Sequence, residues 1–191
     1  MAEVRTPSDL ERVNALIIPG GESTTMSKLL VSSGLFEAVA ARLASGMPAF
    51  GTCAGMILLA TEVVDGRADQ RCFGVLDVAV RRNGFGRQVD SFEAPLAIED
   101  MAGAFPGVFI RAPMVERVGP LATVNARVDE TPVLCSQGHV MAAAFHPELS
   151  GDLRLHQRFV DLVANTKPLT AAAPSPNSRG PSMRTANERG L

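Results

Sequence analysis

The run Gly51-Thr52-Cys53-Ala54-Gly55, entered from the apolar pair Ala49-Phe50, constrains this chain more than any other stretch. A cysteine with glycine two positions before and two after it has the form of a nucleophile elbow, where a strand turns sharply into a helix. The flanking positions must be small because the nucleophile is held in a strained backbone conformation with strand and helix packed close around it. Met56 to Glu62 are good helix formers, so Cys53 is expected at a helix N-terminus, where the macrodipole and free N–H groups favour a thiolate. A buried structural cysteine in a tight turn is the plainer alternative. The paired glycines and the helix that follows weigh against it.

The chain has 191 residues, 46% of them hydrophobic, enough for one domain with a sizeable core. Its net charge of −2, without a basic stripe or interleaved aromatics, lacks the footprint of a nucleic-acid binder. No apolar run approaches the roughly 18 residues of a membrane span. Three cysteines without a signal-peptide pattern fit a reducing compartment, so a cytoplasmic protein is expected. Cys72 and Cys135 lack the glycine bracket and no C-x-x-C spacing occurs, so both are expected to be packing residues, with no metal site.

In chain order, Met1 to Arg5 reads as the end of a short strand, and Thr6-Pro7-Ser8-Asp9-Leu10 as a turn and helix start. Ala15 to Ile18 is a continuous apolar run of the kind buried on both faces of a sheet, and it ends in Pro19-Gly20-Gly21-Glu22-Ser23. A helix through Met26, Leu29 and Leu30 follows, broken at Ser32-Ser33-Gly34, then a second through Glu37 to Leu43. Beyond the elbow, strands are expected over Gly74 to Arg81, Val89 to Ile98, Gly107 to Pro113, Met114 to Val118, Ala122 to Val128, Val133 to Cys135 and Val140 to Phe145. Arg82 to Gln88 is a glycine-containing loop, and Leu155 to Val163 is a closing helix. Residues 1–166 thus form one domain. The stretch 167–191, rich in Pro, Ser, Asn and Arg, is expected to be a disordered tail.

A thiol nucleophile needs a base, and the base an orienting acceptor. His146 and Glu148, two apart at a strand end, point to the same side. Glu148 can therefore hold one imidazole nitrogen while the other faces Cys53, provided that the sheet brings the two strand ends together. His139 and His156 have no such neighbour and are expected at the surface or in turns. An acyl-transfer site also needs oxyanion donors: the N–H of Ala54 by position, and one from Gly20-Gly21, where glycine allows close approach. A phosphate cradle at that glycine turn is the competing idea, but the turn lacks the P-loop lysine and the G-x-G-x-x-G spacing.

Leu16 to Thr25, Phe50 to Gly55 and Phe145-His146-Pro147-Glu148-Leu149 together resemble class I glutamine amidotransferases. The narrower resemblance is to the glutaminase subunits of pyridoxal 5'-phosphate synthase. It rests on Gly-Gly-Glu-Ser-Thr-Thr, on Arg82-Asn83 followed by Phe85 to Glu93, and on Phe109 to Pro113. The resemblance implies a flavodoxin-like, doubly wound, mostly parallel α/β sheet. It further implies hydrolysis of L-glutamine to glutamate and ammonia by a Cys53, His146 and Glu148 triad, without metal or cofactor. Substrate contacts are implied at Gly21, Glu22, Ser23, Arg82, Ile110 and Arg111, with Gly21 and Ala54 as oxyanion donors. Two arginines suit a substrate carboxylate, which a guanidinium grips with paired hydrogen bonds. The implied partner is a barrel-shaped synthase subunit that takes up the ammonia to make pyridoxal phosphate.

Members of that family begin with a strand, a Leu-Gln-Gly-like turn and a helix ahead of the segment matching Val4 to Pro7, and the given sequence carries none of these. The expectation is that a central strand and its helix are missing, and that about 25 to 30 further residues lie upstream of Met1. Two alternatives differ in class: a non-catalytic remnant or binding subunit of the same complex, and a cysteine peptidase of the same broad fold. The two arginines and the glycine turn weigh against the second.

Overall fold

The computed structural model describes residues 2–82, 84 and 91–166. The expected tail beyond residue 166, and most of the motif running from Asn83 to Asp90, lie outside the described residues. The chain opens on a short helix, α1 (Pro7–Leu10), capped by Thr6 and Asp9 in a reciprocal capping box. Strand β1 (Leu16–Ile18) leads into α2 (Ser23–Ser32), and α3 (Leu35–Ala44) follows at Gly34, whose φ of 73° only glycine adopts readily. Strand β2 (Ala49–Thr52) feeds α4 (Ala54–Leu59) through Cys53. Seven strands come next: β3 (Ala60–Val63), β4 (Leu76–Arg81), β5 (Ser91–Leu96), β6 (Phe105–Ile110), β7 (Met114–Val118), β8 (Thr123–Val128) and β9 (Thr131–Gln137). Strand β10 (Val140–Ala143), a 3-10 turn (Pro147–Leu149) and α5 (Arg154–Asn165) complete the described chain.

The main sheet has the order β1-β2-β10-β9-β8. Strand β2 lies between β1 and β10, parallel to both, with Ile18, Gly51 and Ala142 side by side. All four β2 residues are buried. Consecutive strand residues point to opposite faces, and here both faces are covered. A Cβ at Gly51 would lie 2.6 Å from the Gly55 backbone of α4, whereas the Phe50 ring packs 5.7 Å from that of Phe159 in α5. This two-sided cover around the elbow is the expected α/β arrangement.

Away from the elbow the parallel expectation needs correction. Strands β9 and β8 extend the main sheet antiparallel, β4 pairs antiparallel with β7 and parallel with β3, and β5 with β6 is an antiparallel hairpin. The connections explain it: β9 reaches β10 through Gly138 and His139 alone, and only an antiparallel pair can be joined by so short a turn. Three local expectations also fail. Residues 2–5 form no strand. The elbow helix stops at Leu59, because Ala60 to Val63 find ladder partners in β4. The strand expected to run to Pro113 ends at Ile110, where Arg111 takes φ 43° and turns the chain away.

The hairpin packs on the segment that carries His146. The rings of Phe109 and Phe105 lie 5.5 and 5.9 Å from that of Phe145, and Phe92 stacks on Phe109 at 4.4 Å. Among the described residues no helix is long and apolar enough to cross a membrane.

Candidate active site

At the elbow, Cys53 has φ 50° and ψ −106°, outside the regions an L-residue normally occupies. Its neighbours enforce this. A Cβ at Gly55 would overlap the carbonyl oxygen of Ile18, so α4 can lie against β1 only where residue 55 has no side chain. The Cys53 N–H donates to the Ala143 carbonyl at 2.8 Å, which ties the elbow to the end of β10. The cysteine is 7% exposed.

Burial also decides its protonation. Desolvation pushes the Cys53 thiol above its ordinary range, and the Glu148 carboxylate adds to the rise. The Ala54 N–H and the Arg111 guanidinium pull the other way without cancelling it. The expected resting thiolate is therefore corrected to a thiol. At the start of α4 the N–H that lowers the thiol pKa is that of Ala54, and it does not offset the loss of water. The thiol donates to the Ile110 carbonyl at 3.9 Å.

His146 lies just past β10, its N–H donating to the Val108 carbonyl at 2.8 Å. Its Nδ1 is 2.8 Å from Glu148 Oε1. The expected pairing is present, but Glu148 reaches the ring from a 3-10 turn rather than from a strand end. The His146 ring lies so close to Gly20 that a Cβ there would collide with it. Of the other two histidines, His139 is exposed as expected. His156 instead sits half-buried on α5, its ring edge-on to Phe50 at 6.1 Å.

One pocket of about 320 Å³, within the range for small-molecule sites, collects Gly21, Glu22, Ser23, Cys53, Ala54, Arg82, Ile110, Arg111 and His146. Glu148 stands behind His146. The sequence reading missed Ile57, which also lines this pocket and whose apolar side chain gave no chemical signal. It also missed what holds Arg82 in place. The backbone N–H and Nη2 of Arg82 donate to Asp65, at 2.8 Å to Oδ1 and 3.0 Å to the carbonyl, and Nη1 donates to Thr24 Oγ1 at 3.0 Å.

Glu22, besides lining the pocket, caps a helix. Its carboxylate accepts from the N–H groups of Thr24 and Thr25 at 3.1 and 2.7 Å and from the Thr25 hydroxyl at 2.7 Å, capping α2. The Thr25 hydroxyl and N–H, followed by the Thr24 N–H, lower its pKa to about 2. A larger groove of about 500 Å³ lies elsewhere, beside β1, with a mostly apolar lining that includes Leu16, Met26, Leu30 and Val39 and none of the expected site residues.

In three dimensions the chain resembles a crystal structure described as a glutamine amidotransferase, with a TM-score of 0.81 and 49% identity over 85% of this chain and 86% of that one. The model of the SNO glutamine amidotransferase family matches residues 1–165, and the chain belongs to that family. Among curated relatives, the pyridoxal 5'-phosphate synthase subunit PdxT of Frankia alni is 53% identical over 165 residues, 86% of this chain and 83% of the relative. The subunit of the same name from Mycolicibacterium vanbaalenii is 56% identical over 160 residues, 82% of each chain.

Proposed function

We propose that this chain is a glutaminase that hydrolyses L-glutamine and hands the ammonia to a synthase subunit making pyridoxal 5'-phosphate. The observation that carries this reading is the single pocket in which a strained cysteine elbow, a histidine held by a carboxylate and two arginines meet. The family and the PdxT relatives support the same substrate and product.

His146 takes the Cys53 proton as the sulfur attacks the amide carbon, and the carbonyl oxygen gains the negative charge. The N–H groups of Ala54 and Gly21 receive that charge. Collapse expels the amide nitrogen, which leaves as ammonia with the proton that His146 returns. Water, deprotonated by His146, then attacks the thioester; sulfur leaves, and glutamate and the thiol are regenerated. Glu148 holds the imidazole and stabilises its cation. Arg82 and Arg111 grip the substrate carboxylate, with Gly21, Glu22, Ser23 and Ile110 around it. A protonated thiol at rest makes the base essential, since no standing thiolate is available.

Residues 1–166 form the glutaminase domain, which works in the cytoplasm; three unpaired cysteines fit a reducing compartment. Passing ammonia directly to the synthase keeps it from protonation in bulk water, where it would lose its nucleophilic lone pair. A strand and helix upstream of Met1 complete the sheet. Supporting this, β1 pairs only with β2 among the described residues, and the apolar groove borders its free side, with Leu29 61% exposed.

The test is ammonia release from L-glutamine by the purified protein mixed with its synthase subunit. Turnover that Cys53→Ala abolishes is the expected result. Absence of turnover with an otherwise competent synthase would overturn the reading in favour of a non-catalytic subunit.

A further inference from the structure

The stretch from Asp65 to Arg71 is strapped onto α2. Lys28 pairs with Asp69 at 2.9 Å, and the Arg71 N–H donates to Ser27 Oγ at 2.8 Å. Between them, Gln70 makes two side-chain hydrogen bonds of opposite sense. Its carbonyl accepts from the Thr24 hydroxyl at 3.4 Å, and its amide donates to the Ser23 hydroxyl oxygen at 3.2 Å. The Thr24 hydroxyl accepts in turn from Arg82 Nη1.

These bonds form one directed chain from Arg82 through Thr24 and Gln70 to Ser23. Arg82 can only donate, which makes the Thr24 oxygen the acceptor and sends its proton to Gln70. That fixes the amide orientation, so the –NH₂ faces Ser23. Ser23 then accepts from Gln70, and its own proton has no acceptor among the described residues. The residue is 4% exposed, and it lines the pocket.

We propose that Gln70 is a positioning residue that keeps the Ser23 hydroxyl as a hydrogen-bond donor to an anionic or carbonyl oxygen of the bound substrate. This rests on the glutaminase reading above. The directed chain also lends Ser23 some of the polarisation of the Arg82 charge, because aligned hydrogen bonds strengthen one another.

The experiment compares Gln70→Glu with Gln70→Met in the ammonia-release assay with the synthase present and L-glutamine titrated. A carboxylate accepts only, so at Gln70→Glu the Ser23 proton turns back toward residue 70 and is lost to the substrate. Gln70→Met removes both bonds and leaves that proton free to rotate toward the pocket. The expected result is a KM raised about tenfold or more by Gln70→Glu, and clearly less by Gln70→Met, with kcat changed little in either.

Mere packing predicts the opposite order, since Glu copies the shape of Gln. A Gln70→Glu KM equal to that of the wild type, or below that of Gln70→Met, would overturn the proposal. A Gln70→Glu effect undiminished in a Ser23→Ala background would also overturn it, by showing simple charge repulsion. A wild-type chain releasing no ammonia would instead overturn the glutaminase reading itself.

Discussion

The Cys53 thiol donates to the Ile110 carbonyl, 3.9 Å away across the pocket, while the imidazole of His146 is paired with Glu148. At rest the sulfur keeps its proton, because burial raises its pKa above the ordinary thiol value. Alkylation of Cys53 by iodoacetamide, followed on its own peptide by mass spectrometry, should therefore be slow at pH 7. It should climb close to tenfold per unit toward pH 9 without levelling, since the thiolate fraction rises that way below the pKa. A plateau below pH 8 would show a standing thiolate and contradict the assignment.

Replacing Cys53 separates chemistry from strain. Cys53→Ala should lower glutamine turnover by more than about a thousandfold, as other nucleophile deletions do. Yet alanine inherits the backbone at φ 50° and ψ −106°. Glycine adopts such angles freely, so Cys53→Gly should be more stable than Cys53→Ala by roughly 1 to 2 kcal/mol, reversing the usual order of these residues. Urea unfolding of the two variants decides it: equal midpoints would mean the elbow stores no strain.

Glu22 should matter to stability as well as to substrate. Glu22→Ala removes the α2 cap and should cost about 1 kcal/mol in urea unfolding. The carboxyl pKa is lowered from 4.5 to about 2 in the folded chain, so its stabilisation is fully present above pH 4.5. That stabilisation is lost as pH falls toward 2, because the unfolded chain takes up the proton first. The acid-induced loss between these limits should be smaller in Glu22→Gln than in the wild type. An identical loss would leave the cap without a titrating role.

Arg111→Ala should raise KM for glutamine more than it lowers kcat, because the substrate carboxylate that the proposal places on it keeps its charge throughout the reaction. Arg82→Ala should do the same, with a larger loss of stability, since Arg82 also binds Asp65 and Thr24. Steady-state kinetics check this. A fall in kcat at constant KM would assign either arginine to the transition state.

A chain extended upstream of Met1 should unfold at a higher temperature than the 191-residue chain. A strand laid along β1 would pair N–H and C=O groups that no further strand among the described residues meets, and its side chains would fill the groove that Leu29 borders. Circular dichroism is the suitable probe, since the sequence has no Trp and no Tyr. A cooperative transition at the same temperature for both chains, with equal glutaminase activity, would sink the idea.

The elbow was legible because glycine at 51 and 55 answers a local steric demand, and the structure shows the atoms that impose it. The His146 and Glu148 pair was legible because two residues apart in sequence cannot lie far apart in space. The supports of Arg82 were not: Thr24 lies 58 residues from it in sequence and Asp65 lies 17. Side-chain hydroxyls and carboxylates at such distances look like any solvated polar residue until the fold closes. The early end of α4 has the same origin. Ala60 and Glu62 favour a helix but Thr61 and Val63 favour a strand, and pairing with β4 decided their conformation. The resting protonation of Cys53 was misread because a sequence reveals the helix start but not how much water the fold removes.

The pocket draws on five separate stretches, from Gly21 to His146, and each gap between them spans at least one helix or strand. No single helix, strand or loop holds more than a fraction of its walls. Ammonia release is thus a report on the completed tertiary structure, silent in any partly folded form whatever its helix content. During refolding, secondary structure will recover ahead of turnover, because distant segments must meet before the first substrate molecule finds a cavity to enter. A cell carrying a half-folded copy is thereby spared free ammonia from an unassembled site.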